Sequence, residues 1–315
     1  MVMGTIVTVT IYGESEKLDK KLFHDLVKDF SYMDVAWNPY KKGSLRRING
    51  LIKYGEPFSI GPVLEDMIRQ TQKISRESDG YFNPGIGQLI KLWGFYKEPM
   101  PTGPPPDPKK IQELLKHNPS MDQLKVSALT LQSSNPNIQL DFGGFAKGYG
   151  VDRAINYLKS QGVKNAIINA GGDLRAIGKK GDKPWMIGIR DPRGKGVIAG
   201  IAVQGDESVF TSGDYERYYD YKGKRYNHII NPKTGYPADA STSVTVVNKN
   251  AALADAAATA LFVAGPAHWE KIAKQLGLDQ VMLIDNKGII HVTPAIKPRL
   301  IFERKGLDIQ VSKAF

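Results

Sequence analysis

At 315 residues, the chain is long enough for one large or two modest domains with ample core, and its 41% apolar, 24% charged and 9% aromatic content is ordinary globular composition. That excludes disordered, collagenous and coiled-coil classes. Forty-three Lys+Arg against 32 Asp+Glu give a net charge of +11, which favours anionic partners, while the absence of cysteine removes disulfides, zinc–thiolate sites and thiol nucleophiles together.

Residues 3–12 are β-branched and partly alternating, which predicts a strand. No charged n-region, apolar h-region or cleavage site precedes it, so the chain is expected either to be cytoplasmic or to have lost an export segment. Helical periodicity follows over 17–33 and 63–78. The stretch 99–108 holds six of the 19 prolines and predicts an exposed, polyproline-like loop. A short helix over 111–117 comes next, then strands over 124–132 and 138–141. A helix over 146–161 leads into a buried strand, 165–169. Strands crowd 173–247, notably 185–190 and 197–203, with another over 243–248. An alanine-rich helix over 251–263 and short strands around 280–292 close the chain. Helices and strands interleave without regular βαβ spacing, which predicts an α+β fold with mixed sheets and packed helices. No uncharged apolar run reaches the roughly 18 residues of a membrane span. The five histidines are scattered and form no H-E-x-x-H pair, so a protein zinc site is not expected.

Four stretches concentrate polar chemistry on this scaffold. The first, Asp141-Phe142-Gly143-Gly144-Phe145-Ala146-Lys147-Gly148-Tyr149-Gly150-Val151-Asp152, leaves a strand and enters a helix. Glycines let backbone approach a phosphate, amides at a helix start favour anions, and Lys147 adds a point charge. The stretch satisfies neither the Walker pattern nor G-x-G-x-x-G, and it reads equally as a turn packing helix on strand. The second, Asn169-Ala170-Gly171-Gly172-Asp173, is a sharp turn at a strand end. The third runs from Tyr226 to Pro237 and sets His228 at the end of an apolar strand, before a proline–glycine loop. Histidine suits proton transfer near neutral pH; the other reading is a structural strand residue. The fourth, 251–262, places Asp255 and Thr259 four apart on one face of an apolar helix. A carboxylate there costs free energy unless it is paired or holds a cation, and carboxylate plus hydroxyl suits Mg²⁺. The alternative is an aspartate favouring its own helix dipole beside a threonine bonded back to a carbonyl.

Taken in order, eight short stretches resemble the FAD:protein FMN transferase family, also called ApbE-type flavin transferases. They are Met3-Gly4-Thr5; Tyr40 with Ser44 and Asn49; the run Leu89 to Phe95; the aspartate–diglycine–Ala-Lys-Gly-Tyr stretch; the Gly-Gly-Asp turn; Ser212-Gly213-Asp214-Tyr215-Glu216-Arg217; the His-x-x-x-Pro-x-Thr-Gly loop; and the Asp255/Thr259 helix. The resemblance implies one ApbE-like domain over 1–315, with the Pro-rich loop at about 97–110 exposed. It implies cleavage of FAD at its pyrophosphate and transfer of FMN to a Thr or Ser hydroxyl of a partner flavoprotein, releasing AMP. Asp255 and Thr259, with a main-chain carbonyl most simply from Gly144, match the family's Mg²⁺ ligands (Mn²⁺ being the alternative ion). Asp141, Lys147, Met3, Tyr40 and the Tyr81-Phe82-Asn83 segment match FAD-contacting positions, as does the His228-Ile229 pair. His228 also matches the histidine that activates the acceptor hydroxyl, with Asp255 as the second catalytic residue. The implied location is periplasmic or extracytoplasmic, with a lipid anchor outside this sequence. Two departures stand out: Asn38-Pro39 precedes Tyr40 where Ser-Thr is familiar, and Asn231 stands where aspartate is usual.

Phosphoryl transfer asks chiefly for positioning and neutralised charge, which Mg²⁺ and Lys147 supply, and an unperturbed histidine near pKa ~6.5 can take the acceptor proton. Loss of Asp255 is then expected to abolish turnover with the fold intact. Loss of Lys147 is expected to raise the KM for FAD more than it lowers kcat. Competing readings keep the site but let water attack, giving an FAD pyrophosphatase, or keep only FAD binding. A nucleic-acid partner is not expected, because the positive charge is spread and no helix-turn-helix, RNP or C₂H₂ motif occurs.

Overall fold

The computed structural model describes residues 2–203 and 205–313; residues 1, 204, 314 and 315 of the expected 1–315 domain lie outside the described residues. The fold is α+β, as the interleaved pattern predicts. Its centre is an eight-stranded sheet in which spatial order follows chain order: Val7–Ile11, Ala166–Ala170, Asp173–Gly178, Gly205–Gly213, Ser241–Asn248, Val281–Asp285, Ile290–Val292 and Ile309–Val311. Every neighbouring pair is antiparallel except the last, which is parallel. Both faces are covered, so the central strand Ser241–Asn248 is buried along seven of its eight residues. Its side chains still alternate between two cores. Val244 and Val246 face the helices, while Val247 faces a small sheet of Trp185–Arg190, Val197–Val203 and Leu300–Phe302.

The helical layer fixes where the site residues sit. In Glu16–Ala36, buried Leu22, Leu26, Phe30 and Met33 recur at helical spacing, and the Ser15 side chain caps the start. Ala251–Gln275 is apolar nearly all round, and helix Ala146–Ser160 lies across it. The crossing is close because Gly148 has no Cβ: one built there would sit 2.1 Å from the Ala251 carbonyl oxygen. The two helices also cap each other. Asp152 accepts from the amides of Ala251 and Ala252, and Asp255 accepts from the amide of Gly148.

Several elements differ from expectation. The first strand starts at Val7, because Met3 and Gly4 both take positive φ in a tight turn. The stretch 124–132 is a hairpin, Leu124–Ser127 with Thr130–Ser133. Ala128 and Leu129 turn it at φ 46° and 61°, a left-handed pair that asparagine–glycine would have announced. Residues 138–141 form a single bridge at Gln139 rather than a strand. Helices Ser44–Ile52 and Gly87–Trp93 are additional. The last helix resumes beyond a kink at Gly265 and runs to Gln275. The Pro-rich segment is only partly exposed: Met100 packs on an aromatic cluster of Trp93, Phe95 and Tyr219, and Pro108 opens helix Pro108–Lys116. Among the described residues, no helix is long and apolar enough to cross a membrane.

Candidate active site

A cleft of about 630 Å³ opens between the helical layer, the turn at Met3 and one end of the central sheet. All twelve candidate residues line it, from Met3 to Thr259.

At one end, the Asp141 carboxylate accepts from Tyr40 Oη (3.2 Å) and from the Gly143 amide (2.9 Å). Burial raises the Asp141 pKa, and those two hydrogen bonds partly oppose it. Burial, reinforced by the Asp141 charge, pushes the Tyr40 phenol far up, so it stays a donor. Asn38 does the positioning at the first departure from the family pattern: its Oδ1 accepts from the Tyr40 amide at 2.8 Å, an Asx turn. The Tyr40 ring stacks on Tyr96 at 3.9 Å between centroids and 10° between planes. Met3 donates its amide to Asp34 Oδ1 (2.8 Å). The Tyr81 ring lies under Lys233 Nζ at 3.6 Å. Phe82 is core, and Asn83 is committed to backbone, donating to the Pro119 carbonyl and accepting from the Gly85 amide.

The helical wall carries the metal-type donors. Asp255 is 5% exposed; burial raises its pKa, Lys147 opposes the rise, and Asp173 adds to it. Its second structural duty, capping the partner helix at Gly148 (2.9 Å), removes the reading in which it serves its own helix, whose start Asn250 and Asp152 cap. Thr259 Oγ1 lies 3.3 Å from Ser212 Oγ, and a Cβ on Gly144 would fall 2.8 Å from it, so Gly144 backbone approaches as only glycine can. Lys147 forms a salt bridge with Asp173, whose other oxygen accepts from the Thr211 amide (2.8 Å). Burial pulls the lysine pKa down, but Asp173, Asp255 and Glu216 together outweigh it and hold it above the ordinary value. Lys147 is therefore charged and already paired. Nothing in the residue order announces that pairing, because Asp173 reads only as the end of a glycine turn.

The hairpin Tyr218–Tyr221/Lys224–Asn227 brings its two flanking residues into the cleft lining. Its register continues to Arg217 and His228, where the His228 amide donates to the Arg217 carbonyl at 2.9 Å. His228 Nδ1 lies 3.2 Å from the same oxygen. A carbonyl only accepts, so Nδ1 carries the proton and Nε2 keeps its lone pair. Burial, helped by the Lys147 charge, pushes the imidazole down to about 4, well below the ordinary value expected from the sequence. Neighbouring Ile229 is buried and donates its amide to Asn227 Oδ1. Asn231, the second departure, accepts from the Lys233 amide at 2.9 Å and turns the loop by itself. Tyr96, Ser212, Glu216 and Arg217 also line the cleft and were not among the candidates.

A stacking platform, an all-oxygen donor set around the buried Asp255 and a neutral imidazole line one cleft, an arrangement suited to group transfer on a nucleotide-sized substrate. The chain belongs to the ApbE family, whose profile matches residues 3–282. It is 37% identical over 299 residues to the FAD:protein FMN transferase of Rhodobacter capsulatus, covering 95% of this chain and 57% of that protein. It is 33% identical to the FAD:protein FMN transferase of Vibrio cholerae, covering 90% and 85%. The crystal structure of the ApbE protein from Thermotoga maritima superposes with a TM-score of 0.85 at 31% identity, over 97% of this chain and 98% of that one. The flavin transferase ApbE from Vibrio cholerae gives 0.83 at 28%, over 95% and 97%.

Proposed function

We propose that this chain is an FAD:protein FMN transferase. The observation that carries the reading is His228: a neutral imidazole with Nε2 free to accept, lining the same cleft as the Asp255–Thr259 donors. The hydroxyl oxygen of an acceptor Thr or Ser attacks the phosphorus of the FMN half. The bond from that phosphorus to the AMP oxygen breaks, AMP leaves, and His228 Nε2 takes the hydroxyl proton. Tyr40 and Tyr96 offer the aromatic face for the ring system, and Asp141 holds Tyr40 in place.

Mg²⁺, or Mn²⁺ in its place, fits Asp255, Thr259 and the Gly144 backbone. These are hard oxygen donors, and a carboxylate in so dry a place favours a cation. Bound there, the ion supplies positive charge to the phosphate oxygens. An extracytoplasmic location and a lipid anchor beyond this sequence belong to the same reading and rest on the family resemblance alone; fractionating cells that express the full reading frame tests them.

The experiment is incubation with FAD, Mg²⁺ and a flavoprotein segment bearing a candidate acceptor threonine. Transfer gives the segment one FMN of added mass and releases AMP in equal amount. FMN and AMP in solution with an unmodified acceptor identify a pyrophosphatase instead, and unchanged FAD leaves only a binding protein.

A further inference from the structure

The cleft holds two basic side chains besides His228, in opposite states. Lys147 is salt-bridged to Asp173, with Asp255 and Glu216 also near, so its charge is compensated before any ligand arrives. Arg217 makes no ion pair among the described residues. Its Nε is buried without a hydrogen-bond partner, and Nη2 has only the Met100 sulfur at 3.8 Å. An unpaired guanidinium N–H out of water costs free energy, which an anionic ligand removes.

Its placement is equally specific. Tyr218 pairs with Asn227, so Arg217 stands opposite His228, as their backbone hydrogen bond shows. Directly opposed residues of an antiparallel pair project to the same face. The Arg217 charge also acts on the imidazole, adding to the factors that keep it neutral. On its other side Arg217 reaches the Met3–Gly4 turn: a Cβ on Gly4 would lie 3.8 Å from Nη1.

We infer that Arg217 binds the diphosphate of the substrate beside His228, and that Lys147 instead holds the carboxylates of the opposite wall in place. This rests on the reading of the chain as an FAD-dependent transferase. Planar N–H groups match phosphate oxygens in pairs, as an ammonium cannot. In the transfer step, the charge that gathers on the departing AMP oxygen then has a donor on the same wall as the base.

The test compares the Kd of FAD with that of riboflavin, which has the ring but no phosphate, by flavin fluorescence in the presence of Mg²⁺. Losing a hydrogen bond to a charged group predicts that Arg217→Gln weakens FAD by about 10- to 100-fold. Riboflavin affinity should stay as in the wild type, the melting temperature should not fall, and Arg217→Lys should recover part of the loss. Equal FAD binding by wild type and Arg217→Gln overturns the inference alone. Parallel loss of FAD and riboflavin also overturns it, since the residue then shapes the cleft rather than meeting phosphate. Wild-type protein that binds no FAD sinks the functional reading as well.

Discussion

On the helical wall of the cleft the charged groups already have partners: Lys147 with Asp173, and Asp255 with the Gly148 amide. On the hairpin wall the polar atoms are left open: Arg217 Nε has no partner, and His228 keeps a free lone pair. The difference separates two jobs. Groups that cap and bridge helices are fixed by folding and provide a rigid frame, at the risk that altering them harms the fold. Groups left unsatisfied cost stability and wait for a ligand.

The largest effect should come from Asp255→Ala, which removes the buried carboxylate from the proposed ion site and should abolish FMN transfer. Because Asp255 also caps helix Ala146–Ser160, the melting temperature should fall too, by the equivalent of about 0.5–2 kcal/mol. That revises the expectation of an intact fold. Wild-type turnover at matched Mg²⁺ would remove the ion from this wall.

His228→Ala should slow transfer by about 10²–10⁴-fold, the scale of a positioned base. With the imidazole pushed down to about 4, it is neutral at physiological pH, and protonation removes it only as pH falls through that value. The wild-type to variant rate ratio, in which other titrations cancel, should therefore hold between about pH 6 and about pH 8 and shrink toward pH 4. A ratio that climbs through ~6.5 would show an ordinary, solvated histidine.

Lys147→Ala should register first in stability, by about 3 kcal/mol, since it leaves Asp173 and Asp255 facing each other without their cation. Adding Asp173→Asn should restore much of the melting temperature. A stable single variant with a raised KM for FAD would return Lys147 to direct ligand binding, the role its sequence suggests. The smallest effect on activity belongs to Asp152→Ala, which removes the reciprocal cap on Ala251 and Ala252 and one of the carboxylates paired with buried Arg175. It should cost about 3 kcal/mol of stability, read by denaturant titration, with the folded enzyme's specific activity unchanged.

Much of this frame was legible in the sequence. Strands 185–190 and 197–203 fall where they are expected, and helix Ala146–Ser160 starts within the glycine stretch at the expected residue. The motifs, scattered from residue 3 to 259, converge on one cleft. What was hidden is tertiary. Ala128-Leu129 carries no turn signal because neither residue favours positive φ by itself. The strand signal at 138–141 is local, yet among the described residues its only ladder partner is the bridge at Gln139, with Asp141 donating to the Pro84 carbonyl. Spacing along a helix revealed the shared face of Asp255 and Thr259, but not that Asp255 reaches across to Gly148. Nor could it show that Lys147 is paired while Arg217 is not.

The division between the two walls is tested most directly by following acceptor mass over a single turnover at saturating FAD and Mg²⁺, for wild type and His228→Ala, with FAD Kd and melting temperature taken on the same preparations. The account predicts an FMN adduct that forms at least about 10²-fold more slowly in the variant, with Kd and melting temperature unchanged. A stable His228→Ala protein that transfers FMN at near-wild-type rate would contradict it, removing the hairpin wall from the proton transfer.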